Sequence, residues 1–126
     1  MRCLAVACAG LAVLAACGED DPDAGARTVT VKANSTLRVV AKEYSFDPGR
    51  VRVSGAGALT IRLENAGELA HNLELTRQGE TVGGTPTFPG GETRSGRVNL
   101  EHGRYEMICT VGDHAELGMV GELSVD

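Results

Sequence analysis

The chain has 126 residues, with 12 Lys or Arg against 17 Asp or Glu, a formal charge of −5, two Tyr, two Phe and no Trp. That is one domain's worth of sequence, with a core that must come mainly from Val, Leu and Ile. Four of the acids (Glu19, Asp20, Asp21, Asp23) precede Arg27, and from Arg27 onward eleven basic residues face thirteen acidic ones, so no basic stripe exists for nucleic acid.

Taken in chain order, residues 1–16 form a targeting segment. Arg2 gives a positive start, and Leu4 to Ala16 is apolar but too short to span a bilayer as a helix. Leu14-Ala15-Ala16-Cys17 resembles the lipobox of exported bacterial lipoproteins, which implies acylation of Cys17 as the new N-terminus. Residues 17–27 then read as a lipidated Cys and an acidic, solvated tether, and 28–126 as the folded domain. The expected location is extracytoplasmic, in the periplasm or at the cell surface, tethered to the membrane through lipid. Cys3 and Cys8 fall in the discarded segment, so Cys109 is the one thiol left in the folded part. A lone thiol in an oxidising compartment must be buried, catalytic or metal-bound.

From Thr28 onward short runs alternate with period two, separated by Gly, Pro and Asn, and no stretch holds a helical period. Val29 and Val31, Leu37 and Val39, Val51 and Val53, then Leu59, Ile61 and Leu63 each mark a strand that buries one face. Leu73 and Leu75 follow, with His71 at the start of their strand; Val98 and Leu100, Tyr105 to Cys109 and Val120 to Val125 complete the set. Seven or eight strands in about a hundred residues predict an all-β sandwich. Gly83 to Gly91, rich in Gly, Thr and Pro, reads as the one long irregular connection, crossing between sheets.

The chemistry is concentrated near the C-terminus, where Cys109, four residues, His114, four residues and Met119 follow one another. A thiolate, an imidazole and a thioether favour copper over magnesium, calcium or manganese, in a trigonal His₂Cys arrangement with a weak axial Met. The second histidine is then His71 or His102. His102 lies in the turn Glu101-His102-Gly103, where an exposed side chain is expected, whereas apolar residues alternate around His71. His71 is the better ligand. Gly112 and Gly118 let the loop bend, and His71, from a separate strand, pins it to the body of the sandwich. A framework that fixes the donors in this way leaves little to rearrange when the charge on the metal changes.

The segment Cys109 to Met119 resembles the copper-binding loop of cupredoxins, the family of plastocyanins and azurins, and the likeness extends over most of the chain from about Lys42. It implies a Greek-key β-sandwich holding one type 1 (blue) copper ion. It also implies that Asn72, after the first His, and Thr110, after the Cys, tie the two ligand segments together and support the ligands. The run Glu43-Tyr44-Ser45-Phe46-Asp47-Pro48 resembles a segment near the start of many small bacterial cupredoxins. The gaps on both sides of His114 are longer than in plastocyanin, and Met107 stands where an aromatic is common. In that family electrons pass at the exposed edge of the loop histidine, so a redox partner is expected to dock around His114, near Ala115 and Leu117.

Other readings use the same residues. Zinc prefers four strong ligands and would need Asp113 or His102 in place of Met119. A Cys109/His114 nucleophile pair would need an orienting third group and an oxyanion site, and the sequence supplies neither. A c-type haem would need Cys-x-x-Cys-His, which is absent. The expected function is therefore that of a monomeric, non-enzymatic one-electron carrier cycling Cu(I) and Cu(II). Copper storage or delivery to an acceptor protein is the alternative.

Overall fold

The computed structural model describes residues 26–126, so the expected targeting segment, Cys17 and most of the expected tether lie outside the described residues. Among the described residues there is no helix, and ten strands run in chain order: β1 Thr28–Lys32, β2 Thr36–Lys42, β3 Ser45–Asp47, β4 Arg50–Ser54, β5 Gly57–Asn65, β6 Glu74–Arg77, β7 Glu80–Gly84, β8 Thr93–Leu100, β9 Gly103–Ile108 and β10 Val120–Val125. They form a six-stranded sheet ordered β1-β4-β10-β9-β6-β7 and a four-stranded sheet ordered β3-β2-β5-β8.

Each of the eight alternating runs of the sequence overlaps a strand, with Leu73 and Cys109 just outside theirs, and the alternation is the reason the two sheets stack. Leu37, Val39 and Ala41 of β2, Leu59, Ile61 and Leu63 of β5, and Val98 and Leu100 of β8 bury the inner face of the smaller sheet. Val51 and Val53 of β4, Leu75 of β6, Tyr105 and Met107 of β9, and Leu123 and Val125 of β10 bury that of the larger. Each large aliphatic removed from water contributes roughly 1.5–3 kcal/mol, so this interlayer holds the fold.

The two strands beyond the expected eight are short edges that carry little alternation. β3 has three residues and one buried side chain, Phe46. β7 has none, so periodicity could not mark it. The predicted irregular stretch from Gly83 to Gly91 accordingly begins inside β7, and residues 85–92 make the crossing from the larger sheet to the smaller. Gly84 and Gly96 bring the edge strands β7 and β8 together, since a Cβ on Gly96 would fall on the Gly84 carbonyl oxygen. At the turn between β8 and β9, the Tyr105 hydroxyl accepts from the Glu101 amide at 2.9 Å and donates to the Glu101 carbonyl at 3.1 Å, fixing the corner from which β9 runs toward Cys109.

β9 and β10 pair antiparallel with Val120 opposite Ile108, so Cys109 and Met119 meet just past the last paired residues. The Cys109 amide donates to the Met119 carbonyl at 3.2 Å and closes the loop between them.

Candidate metal centre

Three of the residues singled out in the sequence converge here. His71, Cys109 and His114 are all buried, and their candidate donor atoms lie within 4.8 Å of one another. His71 Nδ1 and His114 Nδ1 are 3.2 Å apart, and Cys109 Sγ stands 3.9 Å from the first and 3.6 Å from the second. Bonds of about 2.0 Å to nitrogen and about 2.3 Å to sulfur in a trigonal plane require donor separations of roughly 3.5–3.7 Å, and the three observed edges bracket that range. One soft thiolate and two imidazoles in a dry pocket fit copper.

His71 and Cys109 each sit just outside the strand the sequence assigned them. His71 precedes β6 by three residues, in an isolated bridge with Phe88: His71 N donates to Phe88 O at 3.2 Å and Phe88 N to His71 O at 3.1 Å. Cys109 follows the last residue of β9, and Met119 precedes the first of β10. The displacement has a physical reason, because a ligand inside a ladder is held to the pleat whereas one residue past its end can turn toward the site.

The loop from Thr110 to Gly118 is folded by its own backbone. His114 N donates to Val111 O, Leu117 N to Asp113 O, Gly118 N to Ala115 O and Met119 N to His114 O, all between 3.0 and 3.1 Å. Gly112 and Gly118 take φ of 48° and 112°, where a side chain is disfavoured. Met119 is wholly buried. His114 is 7% exposed, whereas His71, Cys109 and Met119 are all at 0%.

Asn72 joins the two ligand segments. Its Nδ2 donates to Thr110 Oγ1 at 2.7 Å, and its Oδ1 accepts from the Thr110 amide at 2.8 Å. His102 is exposed and far from this cluster in role, its carbonyl accepting from Arg77 at 3.1 Å. Asp113 is exposed as well and belongs to no metal-sized cluster among the described residues.

Three further residues support the site without having been singled out for it in the sequence. Glu43 Oε1 lies 2.9 Å from His71 Nε2 and also accepts from the amides of Glu68 and Leu69 at 3.0 and 2.9 Å. The Leu69 amide first, with help from His71, holds the Glu43 carboxyl down at about 2, so it is ionised at neutral pH. Tyr44 lays its ring 5.0 Å from that of His114, tilted by 57°. Asn65, buried, donates from Nδ2 to the carbonyls of Leu69 and Phe88 and accepts from the Gly67 amide, shaping the turn that delivers His71. Glu43 and Tyr44 belong to a run the sequence does flag, but nothing in spacing says that their side chains reach the two histidines.

No family model and no curated protein matches this chain. Solved structures do. The dithionite-reduced auracyanin of the photosynthetic bacterium Roseiflexus castenholzii superposes with a TM-score of 0.67 at 18% identity, over 75% of this chain and 98% of that one. Auracyanin A, described as a "blue" copper protein of the green thermophilic photosynthetic bacterium Chloroflexus aurantiacus, gives 0.63 at 23% identity, over 78% and 100%. An azurin from the obligate methylotroph Methylomonas sp. strain J gives 0.63 at 18% identity, over 75% and 99%. The chain therefore has the cupredoxin-like β-sandwich fold of these proteins.

Proposed function

We propose that the chain holds one type 1 copper ion between His71 Nδ1, Cys109 Sγ and His114 Nδ1, with Met119 as a weak axial ligand, and serves as a one-electron carrier. The observation that carries this reading is the triangle of two imidazole nitrogens and one thiol sulfur, from three buried residues and of the right size for a trigonal metal. Bound there, copper supplies a Cu(II)/Cu(I) couple. The residues hold the donors still: His71 by the Phe88 bridge and Glu43, Cys109 by Asn72 through Thr110, His114 by the self-closed loop and Tyr44. A site whose donors cannot relax loses little energy to rearrangement when an electron arrives or leaves.

The burial pattern favours electron transfer over copper delivery, since a carrier that hands copper on needs exposed, exchangeable ligands. His114 is the part of this donor set that reaches solvent, and Leu117 beside it is 51% exposed. That edge is the proposed docking face for a redox partner, with Ala115 at its margin. The proposed setting is extracytoplasmic, with Cys17 lipidated and the acidic segment after it as tether; the arguments are the apolar run before Cys17 and the burial of Cys109, the one thiol among the described residues.

The test is addition of Cu(II) to the purified protein. One equivalent should bind and turn it intensely blue, and Cys109→Ser should abolish the colour while the fold is kept. A colourless wild-type product of normal fold would sink the copper reading. Loss of the metal to a weak chelator would shift the reading to copper delivery.

A further inference from the structure

Histidine has two ring nitrogens, and which of them is free to bind a metal is set by what the other one meets. At His71 the answer comes from outside its own segment. Glu43, on the connection between β2 and β3, stands 28 positions away in sequence and meets Nε2 at 2.9 Å. A carboxylate only accepts, so this contact favours the tautomer with its proton on Nε2, the one that offers Nδ1 as a donor atom toward Cys109 and His114.

The neighbourhood is built around that carboxylate. The amides of Glu68 and Leu69 both point at the oxygen that meets the imidazole. Gly67 has no side chain, and a Cβ there would fall on the Glu43 carboxylate. Asn65 holds the same turn in place through the Gly67 amide and the Leu69 carbonyl. Of the pair, His71 is wholly buried, whereas the Glu43 side chain is 29% exposed.

We propose that Glu43 is a positioning residue for the metal centre: it fixes the tautomer and orientation of His71, and its negative charge behind the ring favours the higher oxidation state of the bound metal. The proposal rests on the copper reading only for its second half. An anion hydrogen-bonded to the far nitrogen of a ligating imidazole makes the ring a stronger donor, and the more highly charged metal gains more from it. Glu43 thus lowers the reduction potential relative to the same site without it.

Glu43→Gln and Glu43→Ala separate position from charge. Glutamine offers an acceptor oxygen without the charge, and alanine offers neither. In the metal-free protein, long-range proton–nitrogen correlation spectra of the imidazole should show His71 protonated at Nε2 in wild type and in Glu43→Gln, and mixed tautomers in Glu43→Ala. With copper bound, both variants should have a higher reduction potential than wild type. Glu43→Ala alone should bind Cu(II) about 10- to 100-fold more weakly. Gly67→Ala, which touches neither histidine nor metal, should move in the direction of Glu43→Ala. A wild-type protein with His71 protonated at Nδ1, or variants with unchanged tautomer and potential, would overturn the proposal. Should copper fail to bind the wild type at all, the tautomer spectra of the metal-free protein still decide the role of Glu43.

Discussion

The two histidines of the site are held by opposite means. His71 is stitched to remote parts of the chain: Phe88 through two backbone bonds, Glu43 through Nε2, and the neighbouring residues through Leu73 N to Thr85 Oγ1 and Asn72 to Thr110. His114 sits in a loop whose backbone–backbone hydrogen bonds close within Cys109 to Met119, with Asn72 tied to its first residue and the Tyr44 and His71 rings packed against His114 from elsewhere. One ligand is a product of the tertiary fold, whereas the other comes with a local folding unit. The difference teaches that the loop can keep its shape while the His71 half of the site is disturbed, as long as the β9–β10 pairing at its base holds.

The sharpest way to break this contrast is to weaken the body under His71. Leu73 is wholly buried, and Leu73→Ala should cost about 2–5 kcal/mol in denaturant unfolding. It should also lower copper affinity, since His71 is two residues away. Asn72→Ala tests the joint between the halves. It removes both side-chain bonds to Thr110, which are only partly buried, and the expected loss is about 0.5–1.5 kcal/mol of stability per bond, with weaker Cu(II) binding by about 10- to 100-fold. Within the loop the effects should be smaller. Gly112 has open space around it and a φ of 48°, so Gly112→Ala should cost only about 1 kcal/mol, seen as a small drop in midpoint, and the blue colour should persist. His102→Gln, remote from both histidines and exposed, should leave colour, stoichiometry and unfolding midpoint unchanged. An effect of Gly112→Ala as large as that of Leu73→Ala would show that the loop is not a self-contained unit.

Much of the fold was legible because its physics is local. Alternation along Leu59, Ile61 and Leu63 states directly which face is buried, and burial of that face is what stacks the sheets. β3 and β7 escaped because an edge strand exists by virtue of the neighbour it pairs with, here β2 and β6, and need not carry a buried stripe of its own.

The candidate site divides along the same line. The sequence by itself determined the spacing of Cys109, His114 and Met119, since a short loop closed by its own backbone brings its residues together wherever it is placed. It also favoured His71 over His102, on the contrast between an alternating apolar setting and a turn. Only the tertiary structure decided which nitrogen of His71 faces the cluster, and that Glu43, Tyr44 and Asn65 stand behind the two histidines. The Glu43–His71 and Tyr44–His114 contacts join residues far apart in the chain, and no periodicity along the chain records which distant residues the fold brings together.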